Sequence, residues 1–238
     1  MDGEQFMSRR LMLGNSQKTE DVRFWMSGED APVLIGSTGY WYERVKNIPF
    51  TIYGSNAYDS ENQKYDFSVV SWSAQYDSNN YDFGHHWKLY FDIDAFVYNN
   101  RAVDRYFLDF GSVAHAIKNF GFSMSLTTNN TTTIGINWKL LGNGSNPGIG
   151  TLTHNYQPTA PYQGYESVSG YYAIIDGGDG YDRLEVSING VVQKYNVQIP
   201  QTSYSPPWGN QKIVVGSALN SSFKLPNKIR ELKMVVID

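Results

Sequence analysis

The 238-residue sequence contains no cysteine. This excludes disulfide scaffolds, thiolate zinc sites, iron–sulfur clusters and cysteine nucleophiles, since each requires a sulfur atom. Charged residues are also scarce, at 18% of the chain against roughly 25% in an average soluble domain. The 19 basic and 23 acidic residues give a formal net charge of -4, and the basic residues are dispersed along the chain. Because nucleic-acid affinity depends on clustered cations, we expect no nucleic-acid partner.

Long apolar segments are missing as well. No stretch approaches the roughly 20 apolar residues that a transmembrane helix requires, and residues 1–10 lack the apolar centre of a secretory signal peptide. From the sequence as it stands, we expect a protein that has no membrane partner and does not enter a secretory route.

Residue types that favour strands and turns dominate the chain, which has 18 Tyr, 12 Phe, 6 Trp and 22 Gly residues. Aromatic and β-branched side chains suit a half-buried pleated surface, and Gly and Asn suit the turns between strands. Short runs of this kind recur between turn signals at residues 67–72, 87–96, 105–110, 120–127, 132–140, 170–175, 183–188, 191–197, 212–215 and 231–237. This number of short strands predicts an all-β domain built from two antiparallel sheets.

Two local patterns place particular strands. Residues 184–188 and 191–195 alternate around Asn189-Gly190, the dipeptide that favours a type I′ turn, so a β-hairpin is predicted here. Residues 231–237 alternate charged and apolar side chains before becoming wholly apolar. This pattern is typical of a strand that docks into a sheet, and we expect it to be the last one.

The first 45 residues differ from the rest. Residues 1–20 are polar with Arg9 and Arg10 adjacent, and residues 28–39 are rich in small residues and turn formers. We interpret residues 1–45 as an N-terminal arm or first strand attached to the sandwich, which then occupies residues 46–238. A partly ordered N-terminus is the alternative.

Two segments of the second half resemble a known family. Residues 171–192, YYAIIDGGDGYDRLEVSINGVV, and residues 213–238, IVVGSALNSSFKLPNKIRELKMVVID, are similar to the strand–loop–strand and closing patterns of laminin-G-like or concanavalin A-like domains. This resemblance implies a concanavalin A-like jelly roll. Pro226 or Asn227, and Arg230, stand where the family usually has Gly and Asp. Ligand contacts are therefore not carried over, and the fold serves lectins, glycan hydrolases, adhesion domains and virion proteins alike.

Asp92 and Asp94 are the nearest approach to a catalytic carboxylate pair. They share one face of a predicted strand, because strand side chains alternate. Retaining glycan hydrolysis requires two carboxyl groups about 5 to 5.5 Å apart, and no glutamate follows on the same strand. The sequence therefore predicts no catalytic residue and a protein that is not an enzyme.

Asp176, Asp179 and Asp182 lie in the glycine-rich segment DGGDGYD. Calcium takes six to eight oxygen ligands, and glycines let a backbone curve around the ion, so these residues are a candidate calcium site. Asp and Gly are equally ordinary in a turn between two strands, and this alternative stays open. The four histidines, at positions 85, 86, 115 and 154, lack the spacing of a helical zinc pair. No cofactor other than calcium is expected.

Five aromatic residues fall in loop-like segments near prolines, where a packed core does not ordinarily need them. They are Tyr156, Tyr162, Tyr165, Tyr204 and Trp208. Aromatic rings surrounded by polar groups can hold the C–H face of a sugar, so these residues are the predicted ligand-binding set. The alternative is that the rings cap the ends of the sandwich.

Three functions fit these features. The first is a structural virion protein of a tailed bacteriophage, such as a head fibre, capsid decoration or tail-associated protein. A jelly roll without cysteine or an export signal, with a polar arm that carries Arg9 and Arg10, favours it, and residues 7–13 are also similar to the starts of virion proteins from phages of gut bacteria. Its expected location is the virion, its partners are other virion proteins bound through the arm and a host-surface glycan, and we expect a homo-oligomer. The second is a free lectin or carbohydrate-binding module, at the bacterial surface or extracellular. The third is a glycan hydrolase or lyase.

Overall fold

The computed structural model describes residues 20–54, 57–67, 73–77, 86–96, 98–99, 107–111, 118–126, 132–140, 148–154, 165–200, 212–216 and 227–237. Every regular element in these ranges is a strand. The strands are β1 Asp21–Ser27, β2 Val33–Ile35, β3 Thr38–Glu43, β4 Ile48–Tyr53, β5 Tyr58–Asp59, β6 Lys64–Asp66, β7 Ser73–Asp77, β8 Trp87–Phe96, β9 Tyr98–Asn99, β10 Leu108–Gly111, β11 Lys118–Leu126, β12 Thr132–Leu140, β13 Gly148–His154, β14 Tyr165–Asp176, β15 Tyr181–Ile188, β16 Val191–Pro200, β17 Lys212–Val215 and β18 Asn227–Val236.

These strands form two sheets. The eight-stranded sheet has the order β16-β15-β14-β8-β18-β6-β5, with β1 also paired to β18. The ten-stranded sheet has the order β13-β12-β11-β10-β17-β7-β4-β3-β2, with β9 paired to β11. The described pairings are antiparallel except for the short parallel contact of β9 with β11. The predicted all-β fold with two antiparallel sheets is confirmed. Nothing in the described ranges is a helix that could cross a membrane.

The core lies between the sheets and follows from side-chain alternation. Every second residue of β8 is buried, from Trp87 through Leu89, Phe91 and Ile93 to Ala95. One cluster of buried side chains includes residues of both sheets. Alternation therefore assigns one face of β8 to the core and leaves the other face outside it.

The predicted hairpin around Asn189-Gly190 is confirmed. Strands β15 and β16 pair on either side of it, and both turn residues have positive φ angles, 47° and 86°. A type I′ turn requires this backbone conformation at both positions, which Asn and Gly tolerate better than other residues.

Much of the expected N-terminal arm belongs to the sandwich. Strand β1 pairs with β18 in one sheet, while β2 and β3 extend the edge of the other. Phe24, Met26 and Trp41 are completely buried, and the Trp41 ring stacks on Tyr65 with centroids 3.8 Å apart. The boundary at residue 45 thus separates β3 from its partner β4. Residues 1–19 lie outside the described residues.

A buried glutamate joins the two sheets at this corner. The Glu43 side chain, at the end of β3, is completely buried. Its Oε1 accepts hydrogen bonds from the backbone N–H groups of Trp25 in β1 and Val45, and its Oε2 accepts one from Lys46, all at 2.8 Å. The backbone of Arg44 also donates to the Trp25 carbonyl at 2.8 Å. The carboxyl group of Glu43 therefore holds β1 against the turn that follows β3.

Replacing Glu43 with alanine should lower the free energy of unfolding by about 3 kcal/mol, because the backbone N–H groups that it binds would lose their acceptor. Urea denaturation measures this loss. Glu29→Ala is the control, since its side chain is 65% exposed and its loss should cost less than about 0.5 kcal/mol. Equal transitions for the two variants would contradict the role assigned to Glu43.

Candidate functional site

The side of the eight-stranded sheet that faces away from the core carries polar and aromatic side chains. We call it the outer face. Cross-strand register places its members side by side, since residues opposite one another in a sheet share a face. The outer face comprises Trp25, Lys64, Asp66, Lys88, Tyr90, Asp92, Asp94, Tyr165, Ser167, Tyr171, Lys228, Arg230, Glu231 and Lys233.

An ion-pair network centred on Arg230 occupies the middle of the outer face. Its Nε donates to Asp92 Oδ1 at 2.9 Å, and its Nη2 donates to Asp94 Oδ1 at 2.6 Å and to Ser167 Oγ at 2.8 Å. Lys64 Nζ donates to the other oxygen of Asp94 at 3.2 Å. Asp94 thus lies between two cations, and its side chain is only 13% exposed.

The pKa of Asp94 reflects this balance. Burial raises the pKa, but hydrogen bonds and ion pairs with Arg230 and Lys64 outweigh burial and leave the pKa of Asp94 below its ordinary value. The pKa of Arg230 moves the opposite way. Burial lowers it, and the contacts with Asp94 and Asp92 more than compensate and raise it. Both groups are therefore fixed in their charged forms.

A β-bulge explains why Arg230 lies in this position. The register of β18 against β8 shifts between Ile229 and Glu231. In a regular strand, consecutive residues point to opposite faces, whereas a bulge adds one residue and changes the direction of its neighbours. Arg230 and Glu231 therefore both contribute to the outer face. The sequence identified Arg230 only as a departure from the family pattern.

Tyr90 and Tyr171 form the aromatic part of the face. They are register partners on β8 and β14, and their rings meet edge to face with centroids 5.8 Å apart. Lys88 Nζ lies 4.5 Å from the centroid of the Tyr171 ring, and the Tyr171 hydroxyl donates to Glu185 Oε1 at 2.7 Å. Burial, followed by Glu185, raises the pKa of Tyr171. Its hydroxyl stays protonated and fixed in direction.

Trp25 continues this row of aromatic residues on β1. The guanidinium carbon of Arg44 lies 4.6 Å from the centroid of its ring, and Lys233 Nζ lies 5.6 Å from it. Its Nε1 donates to Glu231 Oε1 at 2.8 Å. Burial raises the pKa of Glu231, and the opposing effects of Trp25 and Lys233 do not offset it. The outer face thus carries two kinds of carboxyl group. Ionisation is disfavoured for Glu231 and favoured for Asp94.

Of the five aromatic residues predicted to bind a ligand, Tyr165 lies on the outer face. It begins β14, and Lys228 Nζ is 4.8 Å from its ring centroid. Tyr156, Tyr162, Tyr204 and Trp208 lie outside the described residues. The sequence does not single out Trp25, Tyr90 or Tyr171, because none of them lies in a loop-like segment near prolines. The signal that could have found them is an aromatic residue at an outward position of an alternating strand.

Beside the glycine-rich segment, the structure groups two of the three predicted aspartates with a histidine. Asp176 and Asp182 are register partners at the loop end of the β14–β15 hairpin. Asp179 instead pairs with Arg183, whose Nη2 donates to its Oδ2 at 2.6 Å. His86 takes its place, with its Nε2 3.0 Å from Asp182 Oδ1. The ligand atoms of His86, Asp176 and Asp182 all lie within 4.8 Å of one another.

Comparisons with known proteins bear on the fold. No family model matches the sequence, and no curated protein matches it. Domain 4 of AbnA, a GH43 extracellular arabinanase from Geobacillus stearothermophilus in complex with arabinotriose, is 11% identical with a TM-score of 0.47, over 91% of this chain and 93% of that domain. An alginate lyase Aly36B mutant in complex with alginate trisaccharide is 11% identical with a TM-score of 0.42, over 92% and 99% of the two chains.

Lectins are also among the similar structures. Lectin I-B4 from Griffonia simplicifolia is 11% identical with a TM-score of 0.34, over 94% of this chain and 95% of the lectin. At such identities the likeness concerns the fold alone. The chain itself is a β-sandwich of two sheets around one core, which is the architecture that the resemblance of its second half implied.

The prediction that the protein is not an enzyme is corrected, because the similar structures include an arabinanase domain and an alginate lyase beside a lectin. That prediction depends on the absence of a glutamate after Asp92 and Asp94 on the same strand. In the sheet, Glu231 of β18 is the register partner of Asp92 on β8. A neighbouring strand therefore places a glutamate on the same face as the two aspartates. Two carboxyl groups on one face are the side chains that glycan hydrolysis uses.

Replacing Asp94 with asparagine should lower the free energy of unfolding at pH 7 by about 1 to 3 kcal/mol, because the charged hydrogen bonds to Arg230 and Lys64 are weakened. The folded-state pKa of Asp94 is lowered from 3.8, so its stabilisation is present above that ordinary value and is lost as the pH falls through the folded value. The difference from wild type should shrink below about pH 4. Urea denaturation across this range measures it.

The exposed turn residue Glu61 supplies the control for this experiment. Glu61→Gln should change stability by less than about 0.5 kcal/mol at pH 7. A difference between wild type and Asp94→Asn that stays constant down to pH 2 would contradict the electrostatic origin of the effect.

Proposed function

We propose that the protein recognises a carbohydrate through the outer face of the eight-stranded sheet. The observation that supports this most is a row of side chains across four adjacent strands. Trp25, Lys233, Tyr90 and Tyr171 are successive register partners on β1, β18, β8 and β14. With strands about 4.8 Å apart, the row is about 14 Å long. A short stretch of an oligosaccharide fits along such a row.

The chemistry of the row suits sugar rings. Aromatic rings offer flat apolar surfaces to the C–H face of a sugar, and charged groups beside them form strong hydrogen bonds with hydroxyl groups. Arg230 and Lys64 supply donors beside the row, while Asp92 and Asp94 supply acceptors. Their mutual ion pairs hold them in place before a ligand arrives, which reduces the entropy lost on binding.

The distribution of charge favours an uncharged glycan over a polyanion. Three lysine and arginine side chains of the outer face are already paired with carboxylates of the same face. These pairs are Lys64 with Asp94 at 3.2 Å, Lys228 with Asp66 at 3.1 Å and Arg230 with Asp92 at 2.9 Å. A polyanion would have to compete with carboxylates that are already bound, whereas neutral hydroxyl groups can share the existing hydrogen bonds.

A panel of neutral and acidic polysaccharides tests the proposal by direct binding measurement. We expect saturable binding to a neutral member, weakened at least tenfold in Tyr90→Ala, since losing a central aromatic contact costs more than about 1.4 kcal/mol. Tyr53→Ala is the matched control, because Tyr53 is 49% exposed and lies on β4 of the other sheet. This variant should bind like wild type.

No binding across the panel, or equal losses in the Tyr90 and Tyr53 variants, would refute glycan recognition by the outer face. The same mixtures are analysed for shorter chains released from each polysaccharide. Such release, abolished in Glu231→Gln, would add cleavage to recognition at the same face.

We also propose that this recognition takes place on the virion of a tailed bacteriophage. The support comes from the sequence, in which residues 7–13 are similar to the starts of phage virion proteins, and from the range of partners that this fold serves. In this proposal the residues before β1 contact other virion proteins, copies of the chain associate with one another, and the outer face meets a glycan of the host surface.

Immunogold labelling of purified phage particles from the source culture, with an antibody to this chain, tests the location. Regular labelling on heads or tails is the expected result. Unlabelled particles, with label on the bacterial surface or in the medium, would instead favour a free lectin. Glycan binding by the purified protein is measured separately, so failure of one proposal leaves the other intact.

A further inference from the structure

We propose that His86, Asp176 and Asp182 bind one divalent transition metal ion, of which Zn²⁺ is the representative. This site is separate from the row of aromatic residues and goes beyond the proposed function. One ring nitrogen and two carboxylate oxygens, all within 4.8 Å of one another, come from three places in the chain. They are the residue before β8, the end of β14 and the beginning of β15.

The distance between two of the three ligand atoms suits an ion of this size. Zinc binds nitrogen and oxygen ligands at about 2.0 to 2.2 Å, so two tetrahedral ligands of one ion lie about 3.4 Å apart. His86 Nε2 and Asp182 Oδ1 are 3.0 Å apart. A shift of a few tenths of an ångström would therefore place both atoms around one ion. Metal binding would replace their direct contact by two coordinate bonds.

The donor set distinguishes zinc from calcium. Calcium requires six to eight oxygen ligands, whereas imidazole nitrogen is a ligand for zinc and its neighbours in the transition series. With Asp179 paired to Arg183, the described group supplies two carboxylates and one imidazole. Three protein ligands and one water complete the four positions of a zinc ion.

One ligand of the proposed site is buried in the protein, and another is open to solvent. Asp182 is completely buried, and its register partner Asp176 is exposed. The backbone N–H of Gly178 donates to Asp176 Oδ1 at 2.8 Å, and the His86 carbonyl accepts a hydrogen bond from the Ile237 N–H at 3.1 Å. An ion can therefore reach Asp176 from solvent. Burial holds Asp182 in place, and the backbone hydrogen bond holds His86.

Such an ion would join three neighbouring strands at one end of the eight-stranded sheet. His86 directly precedes β8, which carries Tyr90, Asp92 and Asp94 of the outer face. The ion would fix the beginning of this strand to the β14–β15 hairpin. An ion at a site that forms only in the folded chain would also stabilise that chain by mass action.

The test uses the full chain without an affinity tag, stripped of metal and titrated with ZnCl₂, CaCl₂ or MgCl₂. Isothermal titration calorimetry and thermal unfolding are the two measurements. We expect one zinc ion per chain and a rise in the unfolding temperature, with weaker effects of calcium and magnesium. His86→Ala and Asp176→Asn should each weaken zinc binding at least tenfold. Asp179→Asn, from the same loop, should bind zinc like wild type.

Asp176 is exposed, so Asp176→Asn tests the site even if His86→Ala fails to fold, and far-UV circular dichroism identifies a misfolded variant. Stoichiometric zinc binding that is lost in the folded Asp176 variant and kept in the Asp179 variant would support the site. Absence of zinc binding, equal binding by all variants, or tighter binding of calcium than of zinc would overturn it.

Discussion

The register of β8 is the constraint on which both the core and the outer face depend. This strand pairs with β14 at ten positions and with β18 at nine. Its odd-numbered residues fill the core, and Tyr90, Asp92 and Asp94 lie between them on the other side. Because side chains alternate with a period of two, a slip of one residue would bury the aspartates and expose Phe91. The cost of burying unpaired charge therefore fixes the position of both faces.

Local patterns made much of this fold predictable. The alternation of β8 and the Asn189-Gly190 turn each occupy a few consecutive residues, so the sequence alone reveals them. The pairing of β1 with β18 could not be read in this way, because Trp25 and Glu231 are 206 residues apart. The role of Glu43 was equally invisible. An isolated glutamate in a sequence indicates an exposed charge, and only the folded chain supplies the backbone donors that permit its burial.

The candidate site was less predictable than the fold for similar reasons. Tyr165 could be named because prolines precede it and the segment resembles a loop, although the residue begins β14. Tyr90 and Tyr171 lie within regular strands, where an aromatic residue is ordinary. The central cation, Arg230, reaches the outer face through a bulge, and its neighbours give no local signal of one. The spacing of the histidines gives no sign of a metal site, whereas the proximity of His86 to Asp182 arises from strand pairing. Each of these features depends on contacts between distant segments.

The carboxyl groups of the outer face differ in the direction of their pKa shifts, because they have different partners. Burial raises the pKa of both Asp94 and Glu231, yet the outcomes are opposite. Arg230 and Lys64 hold Asp94 ionised, whereas the indole of Trp25 and the charge of Lys233 are insufficient to offset the burial of Glu231. A face that keeps one carboxylate charged and disfavours the charge of another offers hydrogen-bond acceptors and a protonatable group side by side. Because a sugar hydroxyl both donates and accepts hydrogen bonds, this asymmetry suits its recognition.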